Sequence, residues 1–444
     1  MTYSIIQKSQ LEGAHRLDAE YYQPEYLDLV ENLNNLGAVP IREIAKNPKR
    51  KFKPQKGEVF QYIEISEVDL STGEYNKKEI LGEDAPDRAQ WIVKQNDVIT
   101  STVRPIRSAT SLIREDVQNL VCSSGFAVLK AEKVEPEYLF VYLKSQPIVK
   151  LLDRKTTATM YPAVTIDDIL NTKIYLGNEK VREEIKNQVI NSQKELENAK
   201  NLYSQAENLL LEELGMKDFE IDDNLSYIVN LPEVKSAHRA DAEYFQPKYE
   251  KIVSLIRANG RIVLDDLATM KKGIEPGSEV YQDEGKLFIR VSSLSKNGFG
   301  DKDQKYLSNE LYQKLKKNYE PKVGEILLTK DATPGTAYVV KEPIEGIISS
   351  GILRLKLKNE KVENEYLALC LNSVIGQMQA ERDAGGSIIA HWKPEQIKNL
   401  QIPILAKPTQ QKIADLVQKS HEARSKAKQL LEQAKQSVES LIKK

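Results

Sequence analysis

Arg104 and Arg107 follow a run of strand-forming residues, Val98–Val103, and flank Pro105. A stiffened turn carrying two guanidiniums presents donors in the fork geometry that reads guanine edge-on. Four more cations, Lys49, Arg50, Lys51 and Lys53, crowd the approach to another strand-like run, Val59–Ile65. Such a loop can meet phosphates, and its plain alternative is a solvated surface loop. Lys155, Thr156 and Tyr161 belong to a polar loop ahead of a short helix at Thr165. A second set lies further along the chain. Lys271 and Lys272 precede Gly273, Lys330 and Thr333 follow the run Ile326–Leu328, and Ser387, His391 and Trp392 form a later loop. Trp392 is equally suited to a core. The chemistry available to these groups is hydrogen bonding to phosphates and base edges.

Residues for covalent chemistry do not group in the same way. No G-x-x-x-x-G-K-[ST] loop is present, and Gly298-Phe-Gly300 lacks the third glycine of a dinucleotide site. His15, His238, His391 and His421 have no metal-ligand spacing with each other or with Cys122 and Cys370, so no metal and no cofactor is expected. His15 and His238 read as structural. Neither an S-adenosylmethionine site nor an Asn/Asp-Pro-Pro-Tyr motif occurs, and the 65 carboxylates form no recognisable nuclease constellation. The cysteines read as buried small hydrophobes of a reducing cytoplasm. No apolar run approaches a membrane span, and Met1–Leu11 has no secretory pattern. The net charge of −1 counts against a body coated in cations and suggests that a partner supplies part of any phosphate neutralisation.

The elements that carry the candidate loops are duplicated. AHRLDAEYYQPEY at 14–26 returns as AHRADAEYFQPKY at 237–249, an offset of 223 residues. VCSSGFAVLK at 121–130 corresponds to IISSGILRLK at 347–356, and TIDDILNTKI at 165–174 to KPEQIKNLQI at 393–402, where the offset is 228. Segments that agree are scaffold. Segments that differ, such as 48–57 against 270–285, are loops, as a module reading two different targets requires. Each copy mixes short strands (59–65, 98–103, 127–130; 287–291, 326–328, 352–357) with helices such as 137–145 and 364–380. Asp167 and Glu395 fall in the first turn of short helices, where a carboxylate is favoured.

Each copy ends in a long helix. Residues 181–214 contain no proline or glycine, with a seam at Ile185, Val189, Ser192, Leu196, Ala199, Tyr203, Ala206 and Leu210. Residues 410–442 repeat it at Ile413, Val417, Ser420, Arg424, Ala427, Leu431, Ala434, Val438 and Leu441. Spacings of four and three make a coiled-coil seam, and alternation of small with large residues lets two backbones approach closely. Arg424 breaks the stripe and is expected to snorkel outward or meet an acidic neighbour. The matched seams predict two helices packed antiparallel. The alternative is two amphipathic helices, each on its own domain.

Together these features resemble the specificity subunit of type I restriction–modification systems over essentially the whole chain. The resemblance rests on the two R-x-D-A-E-Y-[YF]-Q-P-x-Y openings and on DVITSTVRP at 97–105. It rests further on the Ser-Ser-Gly strand before a Glu-Tyr-Leu helix, and on the exit IPI at 402–404 followed by QQKIA at 410–414. IYLGN at 174–178 lacks the prolines usual at the first exit, which leaves the start of that helix open. The resemblance implies an α+β fold with an internal pseudo-twofold repeat. Two tandem mixed α/β target-recognition domains (1–180 and 216–408) would each be followed by a spacer helix (181–215 and 409–444). It implies a non-catalytic, cytoplasmic subunit that binds double-stranded DNA and reads a bipartite, asymmetric site, one half-site per domain. Two methyltransferase subunits, and restriction subunits in the full complex, would be its partners. The competing class is a coiled-coil scaffold without DNA specificity.

Overall fold

The structure is a computed structural model describing residues 3–9, 11, 16–157, 160–217, 226–300, 304–385 and 390–443. It mixes helices with short strands in two compact units, residues 1–195 with 425–444 and residues 196–424. Among the described residues no helix is long and apolar enough to cross a membrane.

In the first unit, Asp97–Ser101 (DVITS), with Val98, Ile99 and Thr100, and Phe126–Ala131 (FAVLKA), with Phe126 and Val128, carry β-formers and lie side by side, antiparallel. Ala45–Lys46 and Thr110–Leu112 complete a four-stranded sheet in the order Ala45–Lys46, Phe126–Ala131, Asp97–Ser101, Thr110–Leu112. A second sheet runs Lys78–Leu81, Val59–Ile63, Leu120–Ser123, Ala89–Ile92, its central pair parallel. The helices Pro136–Lys144 and Gln146–Arg154 pack with the first sheet. Nearly all of the former is buried, including Tyr138, Leu139 and Tyr142.

The second unit repeats the first sheet's order as Ala268–Lys272, Ile352–Leu357, Ile326–Thr329, Ala337–Val339. Its other sheet has three strands, Lys305–Leu307, Lys286–Ile289 and Gly346–Ile348, again with one parallel pair. Where the first unit places the strand Ala89–Ile92, the second has a helix, Asn309–Tyr319, capped by Ser308. Tyr312, Leu311, Leu315 and Tyr319 of that helix pack on Phe288 and Ile347. The helix expected over 364–380 is two helices, Asn364–Asn372 and Val374–Asp383. Ser373 interrupts them and caps the second by accepting from the Ile375 N–H at 3.3 Å.

The long helices run Glu179–Glu213 and Lys407–Ile442. The first starts without prolines because the Asn178 side chain accepts from the Val181 N–H at 2.9 Å. Within the first unit, Ile185 and Val189 share a core with Leu431, Ala434, Val438 and Ile442, and the Ser192 hydroxyl donates to the Ala427 carbonyl at 2.8 Å. Within the second unit, Tyr203, Ala206 and Leu210 share a core with Ile413 and Val417, and the Ser420 hydroxyl donates to the Ala199 carbonyl at 2.6 Å. Of the two expectations for Arg424, the outward one fails, since it is 8% exposed. One seam position needs correction. At the last turn Ile442 is buried and Leu441 only partly so, because this end packs into the domain core, where Asn32 donates to the Ile442 carbonyl.

Candidate nucleic-acid interface

In the first unit the strand Asp97–Ser101 runs out into a turn that meets the loop before the helix Ile166–Asn171. Main-chain groups join them: the Arg104 N–H donates to the Pro162 carbonyl at 2.7 Å and the Val164 N–H to the Thr102 carbonyl at 2.9 Å. Arg104 lies in the left-handed region at φ 49°, which costs an ordinary residue about 1–2 kcal/mol. The turn aims its guanidinium over the Tyr161 ring, 5.5 Å from the centroid. Tyr161 is 66% exposed, and Met160 and Ile106 beside it are exposed too. Arg107 ends the short 3-10 turn Pro105–Arg107 on the surface. Arg104 and Tyr161 are thus brought together, with Arg107 on the same turn.

The second unit builds the same junction with other side chains. The Ala332 N–H donates to the Ala390 carbonyl at 2.9 Å and the Trp392 N–H to the Lys330 carbonyl at 2.8 Å, and Ala332 is left-handed at φ 61°. Here the centre is acidic. Asp331 receives the Lys330 ammonium at 2.6 Å and His391 Nδ1 at 2.9 Å. Burial alone would raise the Asp331 carboxyl, but the hydrogen bonds from Lys330 and His391 hold it below its ordinary value. His391 and Thr333 are exposed. Lys272 is carried toward this junction by its strand, which stays in register with Ile352–Leu357 as far as Leu353. Gly273 follows because a Cβ there would lie 2.2 Å from the Ser349 carbonyl oxygen. Lys271 is exposed, with its ammonium 3.3 Å from the Asn318 side chain.

Several expected contacts are engaged within the fold. Arg50 forms an ion pair with Asp97, whose carboxyl burial pushes up despite that partner. Lys49, Lys51 and Lys53 stay exposed, because 50–52 pairs with the strand Ala89–Ile92 and alternates its side chains, turning Arg50 and Phe52 inward. This segment joins Asp97, the first residue of the strand whose far end leads to Arg104, so the structure does not gather it with Arg104. The Lys155 ammonium is pushed down by burial and donates to the Asp168 carbonyl at 3.0 Å and the Thr172 hydroxyl at 3.3 Å, tying the loop to its helix. Thr156 closes the preceding helix through a bond to the Asp153 carbonyl at 2.8 Å. Lys330 is 8% exposed and held by Asp331. Trp392 is 1% exposed in the core; its main-chain bond makes it the counterpart of buried Val164, not of Tyr161. Ser387 lies outside the described residues.

Beside each junction sits a clasp that sequence reasoning missed. Tyr21 lies between Arg16 and Arg154, 5.1 and 3.9 Å from its centroid, and Tyr244 between Arg239 and Arg382, at 4.6 and 4.4 Å. The signal was present in the duplicated R-x-D-A-E-Y motif and in Arg154 and Arg382, which stand 228 residues apart. No group of three or more His, Cys, Asp and Glu among the described residues could hold a metal ion.

Comparison with known proteins follows the same lines. Residues 261–436 match the family model of the type I restriction modification DNA specificity domain. The specificity subunit of the type I restriction enzyme HindI from Haemophilus influenzae is 25% identical over 153 residues, 33% of this chain and 32% of that protein. The match therefore spans about a third of the curated relative's length. Three solved structures align over 91% of the chain. One comes from work on assembly and conformational transition of a type I R-M system (20% identity, TM-score 0.35, 96% of that chain). The others are the HsdS subunit of Thermoanaerobacter tengcongensis (22%, 0.34, 95%) and the type I S subunit of M. genitalium (15%, 0.37, 94%). Over residues 261–436 the chain is similar to type I restriction modification DNA specificity domains.

Proposed function

We propose that the chain is the DNA-specificity subunit of a type I restriction–modification complex, acting in the cytoplasm without catalysis of its own. Two target-recognition domains, 1–180 and 216–408, each read one half of a bipartite, asymmetric site. The helices 181–215 and 409–444 pair antiparallel as the spacer, a reading supported by the bonds Ser192 to Ala427 and Ser420 to Ala199. Two methyltransferase subunits, and restriction subunits in the full complex, assemble on it. The observation that carries this reading is one junction built twice from main-chain bonds and furnished with different side chains, Arg104 and Tyr161 in one unit, Ala332 and His391 in the other. A common frame with exchanged tips suits the reading of two different half-sites. Arg104, Arg107 and Tyr161 reach one half-site, and Lys271, Lys272, Thr333 and His391 the other. Lys49, Lys51 and Lys53 meet phosphate.

The test is methylome sequencing of a host expressing the chain with its cognate methyltransferase subunit, beside binding and methyl-transfer assays of the purified chain. The expected result is adenine methylation in a split motif, with weak DNA binding and no transfer by the chain alone. Methyl transfer by the isolated chain, or methylation that does not depend on it, overturns the reading.

A further inference from the structure

Reading base edges by hydrogen bonds calls for polar tips. The tip of the first unit's junction carries apolar bulk as well. Ile106 is 51%, Met160 77% and Tyr161 66% exposed, on the two arms of chain that the junction joins. Lone exposed apolar side chains are ordinary, whereas bulky ones grouped at one tip mark a surface kept for contact.

Both arms are braced. The turn is bracketed by two left-handed residues, Arg104 at φ 49° and Ser108 at φ 53°, and Pro105 is buried while Ile106 stays outside. Lys144, itself 2% exposed, holds the turn from within: its ammonium donates to the Ser108 carbonyl at 3.3 Å and to the Leu70 carbonyl at 2.9 Å. On the other arm, Ala163 exchanges two main-chain bonds with Thr157, at 3.1 and 3.2 Å, and forms a bridge with Val103. The Arg104 guanidinium, over the Tyr161 ring, ties one arm to the other at the surface. Apolar side chains held ready on a braced frame lose little freedom when they enter a partner.

The charges beside the apolar group select the partner. Arg104 and Arg107 sit on the same turn as Ile106. A duplex offers what such a tip needs, stacked bases for the apolar side chains and phosphates for the cations on either side. We propose that Met160 and Tyr161, backed by Ile106, form a wedge that enters one base step of the first unit's half-site, partly unstacks it and bends the duplex there. The wedge rests on the DNA-reading function proposed above and adds a second kind of reading to it. Besides base edges, the first unit senses how easily a step opens. Pyrimidine–purine steps open most readily, so the half-site holds one where the wedge enters.

The experiment uses the full chain assembled with its cognate methyltransferase subunit, on duplexes carrying the site that methylome sequencing returns. Energy transfer between dyes flanking the first half-site reports the bend. A fluorescent purine analogue placed at its purines in turn, the methylated adenine excepted, reports unstacking. The unsubstituted complex should bend the duplex and brighten the analogue at one step. Met160→Ser combined with Tyr161→Ser should abolish both signals, lower affinity by about tenfold or more, and erase the base preference at that step alone. Preferences read through Arg104, the whole of the other half-site and the unfolding midpoint should stay as in the parent. Met160→Leu combined with Tyr161→Phe, which returns the bulk without the hydroxyl, should restore the bend and the unstacking. Bending by the serine pair equal to the parent's, binding by the parent without unstacking, or failure of the leucine–phenylalanine pair to restore it overturns the wedge and leaves the proposed function standing. So does loss of the methyltransferase subunit from the serine pair, which would make the tip a protein-docking surface. Methylation that does not depend on the chain overturns that function, and the wedge with it.

Discussion

At Arg104 the backbone holds a left-handed conformation so that one guanidinium can lie over Tyr161 at the surface. Arg50, in the same unit, has its charge matched to nearly inaccessible Asp97. The two arginines therefore answer differently to removal. Arg104→Ala should relax base preference within one half-site at a cost of about 1–3 kcal/mol in specific binding, leaving the other half-site and the urea midpoint unchanged. Arg50→Ala should lower stability by about 3 kcal/mol, seen in the urea midpoint, because it strands a buried carboxylate. Equal loss of specificity at both half-sites on Arg104→Ala would show that Arg104 supports the fold. The sequence displayed all the cations but not their direction. Around Arg50 the direction was readable in principle, since the alternation Lys49, Arg50, Lys51, Phe52, Lys53 is a strand period with an aromatic on the arginine's side. Lys155 was not readable, because Asp168 and Thr172 become its partners only through tertiary placement, and Lys330 was not, because its burial beside its neighbour Asp331 is set by the tertiary fold.

The helix seams were legible almost to the residue, because a period of four and three depends only on spacing. Their exceptions come from what the helices pack against. The second long helix carries His421 beside the Tyr338 ring, 5.6 Å between centroids, with Glu365 at 4.0 Å already taken by Lys341. Burial, with the charges of Lys341 and Arg424 nearby, pushes the His421 imidazole down to about 4. Between that value and the ordinary value near 6.5 the unfolded chain takes up a proton that the folded chain refuses. Stability is then fully present above pH 6.5 and is lost as pH falls toward 4, by roughly 3 kcal/mol in all. His421→Gln, which installs the residue standing at Gln193 in the first helix, should flatten this dependence between pH 7 and pH 5 in denaturant titrations. An unchanged slope would mean that His421 takes up its proton in the folded state.

For the molecule as a whole, the duplication told most. The offsets of 223 and 228 residues anticipated one four-stranded sheet order in both units. They did not anticipate the helix Asn309–Tyr319 standing where the other unit has the strand Ala89–Ile92, because these segments have no common sequence from which to read it. Helices of 35 and 36 residues measure about 50 Å, longer than the roughly 34 Å of one DNA turn. Adding four residues to both at facing positions should lengthen the spacer by about 6 Å, or roughly two base pairs, and nearly preserve the seam. Methylome sequencing should return unchanged half-sites with a longer unread gap. A lengthened chain that assembles yet keeps the original gap would remove the helices from the role of spacer.

The junctions at Arg104 and Ala332 are fastened by peptide groups, which every residue except proline supplies in full. Heritable variation can therefore exchange tip side chains without dismantling the frame. On the function proposed above, a new target needs only a few substitutions at the tips, and the chain stays competent to fold while its address is rewritten.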